Sequence, residues 1–127
     1  MPKNKNNIFL IGPMGSGKTS VAKKLSEKLG KQFADTDVKI SNKTGVDINY
    51  IFDIEGEVGF RKREEVTLKE CILENDIVLS TGGGIVLSVN NRLLLKKHGV
   101  VVYLETSVES QEVRTRLSNN RPLLKNK

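Results

Sequence analysis

Ile8-Phe9-Leu10-Ile11-Gly12-Pro13-Met14-Gly15-Ser16-Gly17-Lys18-Thr19-Ser20 decides more about the fold than any other stretch of this 127-residue chain. Four apolar, β-prone residues run into a glycine-rich turn of pattern G-x-x-x-x-G-K-[ST], and the turn runs into a helical stretch, Lys18 to Leu29, closed by Gly30. Average composition would place that pattern in a random chain of this length roughly 0.4% of the time, and the strand before it and helix after it make it rarer still. Glycines let the backbone curl until successive N–H groups converge on phosphate oxygens, while the helix adds the positive end of its dipole. The stretch predicts a loop that cradles the phosphates of ATP, with Gly12, Gly15, Ser16, Gly17 and Ser20 around them. Lys18 would reach the β- and γ-phosphates, and the Thr19 hydroxyl would ligate a bridging Mg²⁺. No third glycine follows Gly17, so this is not a dinucleotide fingerprint.

Outward from the loop the same rhythm repeats. Phe33 to Thr36 reads as a second strand followed by helical material to about Asn75. Ile77 to Ser80 is a third, followed by Ser88 to Lys97, and Val100 to Leu104 a fourth, followed by Ser107 to about Leu117. Short strands alternating with helices predict an α/β fold with a central parallel sheet. Val21, Leu25 and Leu29, at four-residue steps, are expected to form the buried face of the first helix. Gly99 is expected to stop the helix before it as Gly30 stops the first, with His98 as a helix-end residue and Ser107 as the next N-cap.

Composition excludes several classes. With 37% hydrophobic and 28% charged residues and a mean hydropathy of -0.32, the chain is neither disordered nor membrane-spanning. The basic start leads into only four apolar residues before Gly12, too few for a signal-peptide core, so a cytoplasmic protein is expected. The one cysteine, Cys71, can make neither an intramolecular disulfide nor a multi-cysteine metal site and is expected in plain packing. A net charge of +6 favours anionic partners; without a long basic block, any Trp or more than six Phe plus Tyr, nucleic acid is not expected among them.

Parallel sheets of this kind bind ligands at the carboxyl ends of their strands, so the residues after each strand matter most. If the second strand runs through Asp35-Thr36-Asp37, both carboxylates share a face, Asp35 suited to Mg²⁺ through water and Asp37 to an attacking hydroxyl. Alternatively, Asp37 merely N-caps a helix starting at Val38. Further on, Glu64 falls inside an apolar stripe of Phe60, Leu68, Cys71 and Ile72 and needs a partner, which Arg61, three residues away, can be. An arginine presented there would bind a substrate carboxylate in bidentate fashion; Glu57, Arg61 and Glu65 also stand at the spacing of an ordinary surface ladder. After the third strand, Gly82-Gly83-Gly84 permits close approach of a small ligand to main-chain N–H groups, or is a flexible turn. Arg114 lies on the last helical stretch, and Arg121 follows the polar Ser118-Asn119-Asn120, where it can close over phosphates or be solvated charge near a terminus.

Taken in order, GPMGSGKTS, DTD, FD-x-x-GE-x-x-FR-x-x-E, GGG and RPLL resemble the shikimate kinase family, and the resemblance spans Ile8 to Leu124. It implies a three-layer P-loop NTPase fold of the nucleoside-monophosphate-kinase type, in a single domain covering residues 1–127 with a lid over about 112–127. It also implies transfer of the ATP γ-phosphoryl to the 3-hydroxyl of shikimate, on the route to chorismate and aromatic amino acids. Carried over, the resemblance puts Thr19 and Asp35 at Mg²⁺, Asp37 on the shikimate hydroxyls as base or positioner, and Arg61 on its carboxylate. Gly82, Gly83 and Gly84 line the substrate, Gly83 through its N–H, and Glu64 holds the substrate arginine. Arg114 lies against adenine, and Arg121 reaches the phosphates from the lid. Lys18, Asp37 and Arg121 are the catalytic set. A monomer without membrane partners is expected. Similar enzymes continue into another strand and a helix bearing a second carboxylate-binding arginine, so the expectation is a domain cut short after its lid, its last strand and C-terminal helices missing. A catalytically silent nucleotide-binding fragment and a kinase of another small hydroxy-acid are the competing readings.

Overall fold

A computed structural model describes residues 6–13 and 16–105; Met14, Gly15, Arg114, Arg121 and the whole lid segment lie outside the described residues. The elements run β1 (Ile8–Ile11), α1 (Lys18–Leu29), β2 (Gln32–Asp35), α2 (Thr36–Thr44), α3 (Ile48–Cys71), β3 (Ile77–Ser80), a 3₁₀ turn (Ile85–Leu87), α4 (Val89–His98) and β4 (Val100–Tyr103). All strand pairs are parallel, in the order β2-β3-β1-β4.

Two faces of apolar side chains make the sheet the middle of three layers. Phe9 on β1 and Ile77 and Leu79 on β3 pack with Leu68, Cys71 and Ile72 of α3 and Leu95 of α4 on one side. Leu10 and Val78, one residue out of phase, meet Ala22 of α1 on the other. Central parallel strands buried on both faces read as continuous apolar runs, which is why IFLI and IVLS carry no alternation. A satellite cluster of Ile40, Ile51 and Phe60 joins α2 to α3. Among the described residues no helix is long and apolar enough to cross a membrane.

Local signals set most boundaries. Gly30 takes the left-handed conformation and its N–H caps α1, as expected. Ser88 Oγ accepts from Asn91 N and starts α4, and Asp47 Oδ1 accepts from Tyr50 N and starts α3. Helix α3 bends at Gly56 (φ 74, ψ 179), so residues 48–55 and residues 57–71, the second carrying both Arg61 and Glu64, are two helical pieces in sequence. Cys71 is buried in the core as expected, and burial pushes its thiol up to about 11.

Three expectations change. In α1, Lys18, Ala22 and Ser26 are buried, while Val21 and Leu29 are exposed. The helix turns its small residues to the sheet because α1 lies close against β3, and only Leu25 of the expected stripe packs there. Gly99 is extended (φ 177, ψ -168), not a left-handed cap; a Cβ there would fall 2.6 Å from Asn7 O and 2.7 Å from Phe9, so close approach demands it. Strand β2 runs from Gln32 to Asp35, and Thr36 already belongs to α2. The expected N-cap at Ser107 lies outside the described residues.

Candidate active site

The carboxyl ends of β1, β2 and β3 converge where the strand order reverses, between β1 and β3, the crevice in which open α/β sheets bind ligands. After β1 the chain turns through Gly12 (φ 150) and enters α1 through Gly17 in the left-handed region (φ 86). A side chain at Gly12 would also strike Leu104 O, at 2.6 Å. Lys18 is 8% exposed, and its Nζ donates to Gly12 O at 2.6 Å and Pro13 O at 3.1 Å. Burial lowers the pKa of its ammonium group, opposed by the negative charges of Asp37 and Asp35. Ser16, also buried, has a hydroxyl without a hydrogen-bond partner among the described residues.

After β2, Asp35 and not Asp37 caps the helix. Its Oδ1 accepts from Asp37 N at 2.9 Å and Val38 N at 3.1 Å, and its Oδ2 accepts from Thr19 Oγ1 at 3.0 Å. Both sequence readings of the acidic pair are thereby revised: the strand stops at Asp35, and Asp37 is the second residue of α2. The two carboxylates nonetheless stay within reach of each other. Asp37 is pushed up to about 6, first by burial, then by the charges of Asp35 and Glu64, against the pull of Lys18 and Arg61. Thr19 Oγ1, Asp35 Oδ2 and, 3.4 Å from Thr19, Ser80 Oγ form an oxygen-only group of the kind that suits a hard cation sharing its shell with phosphates and water. Among the described residues no group of three or more His, Cys, Asp or Glu stands ready to hold a metal by itself.

Arg61 is held from several sides. Nη1 donates to Glu64 Oε1 at 2.9 Å and Nε to Glu57 Oε2 at 3.3 Å, so the partner reading and the ladder reading both hold, with Glu57 rather than Glu65 as the exposed rung. Its guanidinium lies 5.9 Å from the Phe52 ring and 5.5 Å from the Phe60 ring, and these two rings stack 4.7 Å apart. Glu64 is 1% exposed, and burial raises its pKa while Arg61 opposes the rise.

The glycine run after β3 is where these pieces meet. A Cβ on Gly82 would lie 2.8 Å from both Asp37 Oδ1 and Glu64 Oε2, two buried oxygens that have no partner among the described residues. One on Gly84 would collide with the Arg61 guanidinium. Gly82 N donates to Thr36 Oγ1 at 3.0 Å, which ties the run to the start of α2. Gly83 is exposed. Beside Arg61 and Gly84 a cleft of about 410 Å³ opens toward Ser88 and Asn91. A smaller cavity of about 200 Å³, near Ile40, Lys43 and Arg63, touches none of the site residues.

Sequence reasoning missed several of these groups. Thr36, 0% exposed, sits between the two aspartates and orients the glycine run; its place inside DTD was the only signal. Phe52 and Phe60 stack on each other beside Arg61, a relation that becomes visible only once the Gly56 bend sets them side by side. Asn7, 0% exposed, bridges Glu74 O and Ile77 N at the foot of the sheet, and Asn91 reaches Ile85 O; neither carries a sequence signature.

A parallel sheet with a phosphate loop after its first strand, an acidic pair after its second and an oriented arginine over a glycine run defines a P-loop phosphotransferase for a small acceptor. The shikimate kinase family model matches residues 14–127. Shikimate kinase of Buchnera aphidicola subsp. Baizongia pistaciae is 56% identical over 94% of this chain and 69% of its own length, and that of Histophilus somni 52% identical over 96% and 70%. The structure of shikimate kinase from Acinetobacter baumannii in complex with shikimate superposes with a TM-score of 0.89 at 52% identity, covering 96% of this chain and 68% of the other. The chain belongs to the shikimate kinase family: it is an ATP-dependent kinase with an alcohol group as acceptor.

Proposed function

We propose that this chain phosphorylates the 3-hydroxyl of shikimate through the residues assembled above, and that each has a separate task. Lys18 leaves the carbonyls of Gly12 and Pro13 for the β- and γ-phosphates, and the backbone from Gly12 to Ser20 cradles them. Thr19 and, through water, Asp35 would hold Mg²⁺, which would neutralise charge on the phosphates; the oxygen-only donor set supports this assignment. Arg61 pairs with the shikimate carboxylate, held in place by Glu64, and Gly82, Gly83 and Gly84 face the ring. Asp37 orients the attacking hydroxyl and takes its proton. Arg114 at adenine and Arg121 over the phosphates complete the reading from the sequence resemblance. Phosphoryl transfer then needs little beyond placement and charge.

The observation that carries the reading is that the glycine run is packed against both Asp37 and the Arg61–Glu64 pair, a Cβ on Gly82 falling 2.8 Å from Asp37 Oδ1 and from Glu64 Oε2, and the charges of Lys18 and Arg61 both bear on that aspartate. The same reading makes the protein a single kinase domain and a cytoplasmic monomer acting on free small molecules, without nucleic-acid or membrane partners. Supporting this is the origin of every assigned group in one chain. The test is coupled ADP release by the 127-residue chain with and without shikimate. Shikimate-dependent release that disappears with Lys18→Met is the expected result. Nucleotide binding without any shikimate 3-phosphate would overturn it in favour of a silent nucleotide-binding protein, and release driven by another hydroxy-acid would overturn the substrate.

A further inference from the structure

A run of three glycines has no side chains with which to fix its own backbone, so something else must fix it. Upstream, Gly82 N is held by Thr36 Oγ1. Downstream, Ile85 N donates to Gly82 O at 3.1 Å and Leu87 N to Gly84 O at 3.0 Å, which winds the run into the 3₁₀ turn. The carbonyls of that turn are then taken by the first turn of α4: Asn91 Nδ2 donates to Ile85 O at 3.0 Å and Arg92 Nη1 to Val86 O at 2.5 Å. Arg92 is exposed and its bond competes with water. Asn91 is 3% exposed and Ile85 0%, so theirs does not.

Stability alone does not call for asparagine at this position. Its Oδ1 is buried without a partner among the described residues, although the residue lines the cleft beside Arg61 and Gly84. Leucine has nearly the same shape and removes that orphan; it gives up the bond to Ile85 O, and the two changes roughly offset one another. What leucine cannot do is hold Ile85 O at a fixed height. We infer that Asn91 is a positioning residue: through Ile85 O it sets the glycine run over Asp37 and Arg61, and thereby the affinity for the hydroxy-acid substrate. This rests on the substrate reading proposed above.

The test compares the 127-residue chain with its Asn91→Leu and Asn91→Asp variants; aspartate keeps the shape and an acceptor but loses the donor. Hydrogen exchange at the Ile85 and Leu87 amides, shikimate and ATP dissociation constants by calorimetry, and melting temperature are measured on each. Expected are exchange about tenfold faster at those two amides, shikimate binding about tenfold weaker, ATP binding unchanged and a nearly unchanged melting temperature for Asn91→Leu. Arg92→Ala, at the exposed bond, weakens shikimate binding about twofold or less. Unchanged exchange protection at Ile85 and Leu87 overturns the clamp whatever ligand binds. Equal losses of shikimate and ATP affinity with a lowered melting temperature overturn it in favour of a general structural role. If the unaltered chain binds no shikimate, it is the substrate reading that fails, and the exchange measurement still judges the clamp.

Discussion

Lys18 and Arg61 bear on the same carboxylate from the two halves of the site, and the fold treats them in opposite ways. Lys18 holds its own loop, donating to Gly12 O and Pro13 O, and is buried enough to lower the pKa of its ammonium group. Any phosphate must take it from those carbonyls. Arg61 is oriented before a ligand arrives, by Glu57, Glu64, two phenylalanine rings and the bare surface of Gly84. A compact ammonium on a flexible stem is suited to changing partners, and a planar guanidinium to being fixed in advance. The phosphate half is therefore built to rearrange, and the substrate half is preorganised, so that little ordering is left for the binding step.

The largest effect expected follows from removing the exchanging cation. Lys18→Met lowers kcat by about 10²–10³-fold, the cost of one well-placed donor to developing charge, with shikimate affinity nearly unchanged. Steady-state ADP release and shikimate titration check both numbers. If shikimate affinity falls as far as kcat, the halves are not separable and the comparison breaks.

Asp37, where the halves meet, comes next. Asp37→Asn lowers kcat by about 10²-fold at pH 8, in the range of lost general-base catalysis. In the unaltered chain the rate falls as pH drops through about 6, where this carboxyl takes up its proton. Stability moves the other way. Below its ordinary value of 3.8 the group is protonated folded and unfolded alike; between 3.8 and about 6 only the folded form keeps the proton. Stability is thus fully present below 3.8 and is lost as pH rises through about 6. Asp37→Asn is expected to be about 3 kcal/mol more stable than the unaltered chain at pH 8, a gain that vanishes toward pH 4 in urea titrations. A variant less stable at pH 8 would show that Asp37 is satisfied in the folded state and not held there against its preference.

Those two halves also differ in how far the sequence discloses them. The phosphate loop is contiguous, so its residues can be read in a line, and β1, α1 and β3 fall within the expected bounds for the same local reason. The substrate half is assembled from three separated stretches, and its geometry depends on features without a local signature. A bend at Gly56 brings Phe52 to Phe60, a helix cap falls on Asp35 instead of Asp37, and Gly84 is empty because Arg61 fills its space. Arg61 and Glu64 were legible as a pair because a carboxylate inside an apolar stripe demands a partner. That the pair also fixes the guanidinium over the glycine run was not, since spacing along a helix says nothing about what lies opposite. The exposed Val21 and Leu29 make the same point: periodicity finds an apolar stripe, but the closeness of α1 to β3 chooses which side of it is buried.

Arg61→Lys tests preorganisation itself. Lysine keeps the charge but cannot pair in a fork or present a planar cation beside Phe52 and Phe60, so shikimate affinity is expected to fall about tenfold or somewhat more, with ATP affinity unchanged. Calorimetry with each ligand separates the two. Glu64, 1% exposed, loses its fixed partner in this variant, and a lowered melting temperature accompanies the affinity loss. A variant that binds shikimate as well as the unaltered chain would mean that charge alone is recognised and that the orientation has no binding consequence.

The smallest effect expected is the most specific to the comparison. Gly84→Ala leaves Arg61 in place chemically and moves it: the added Cβ meets the guanidinium, the far end of a flexible side chain that can swing aside without disturbing the backbone. The arginine then keeps its charge, and Glu57 and Glu64 remain within reach, but the orientation set by the glycine surface is lost. Shikimate affinity is expected to drop about fivefold, roughly 1 kcal/mol, less than for Arg61→Lys because the fork survives and can return at a cost in ordering. The double variant decides what the glycine is for. If Gly84 acts only through the arginine, Gly84→Ala adds nothing once Arg61→Lys is present, because the shorter contact has already gone. If the two losses multiply, Gly84 acts on the substrate through its own backbone, and the preorganised half of the site has a second element independent of Arg61.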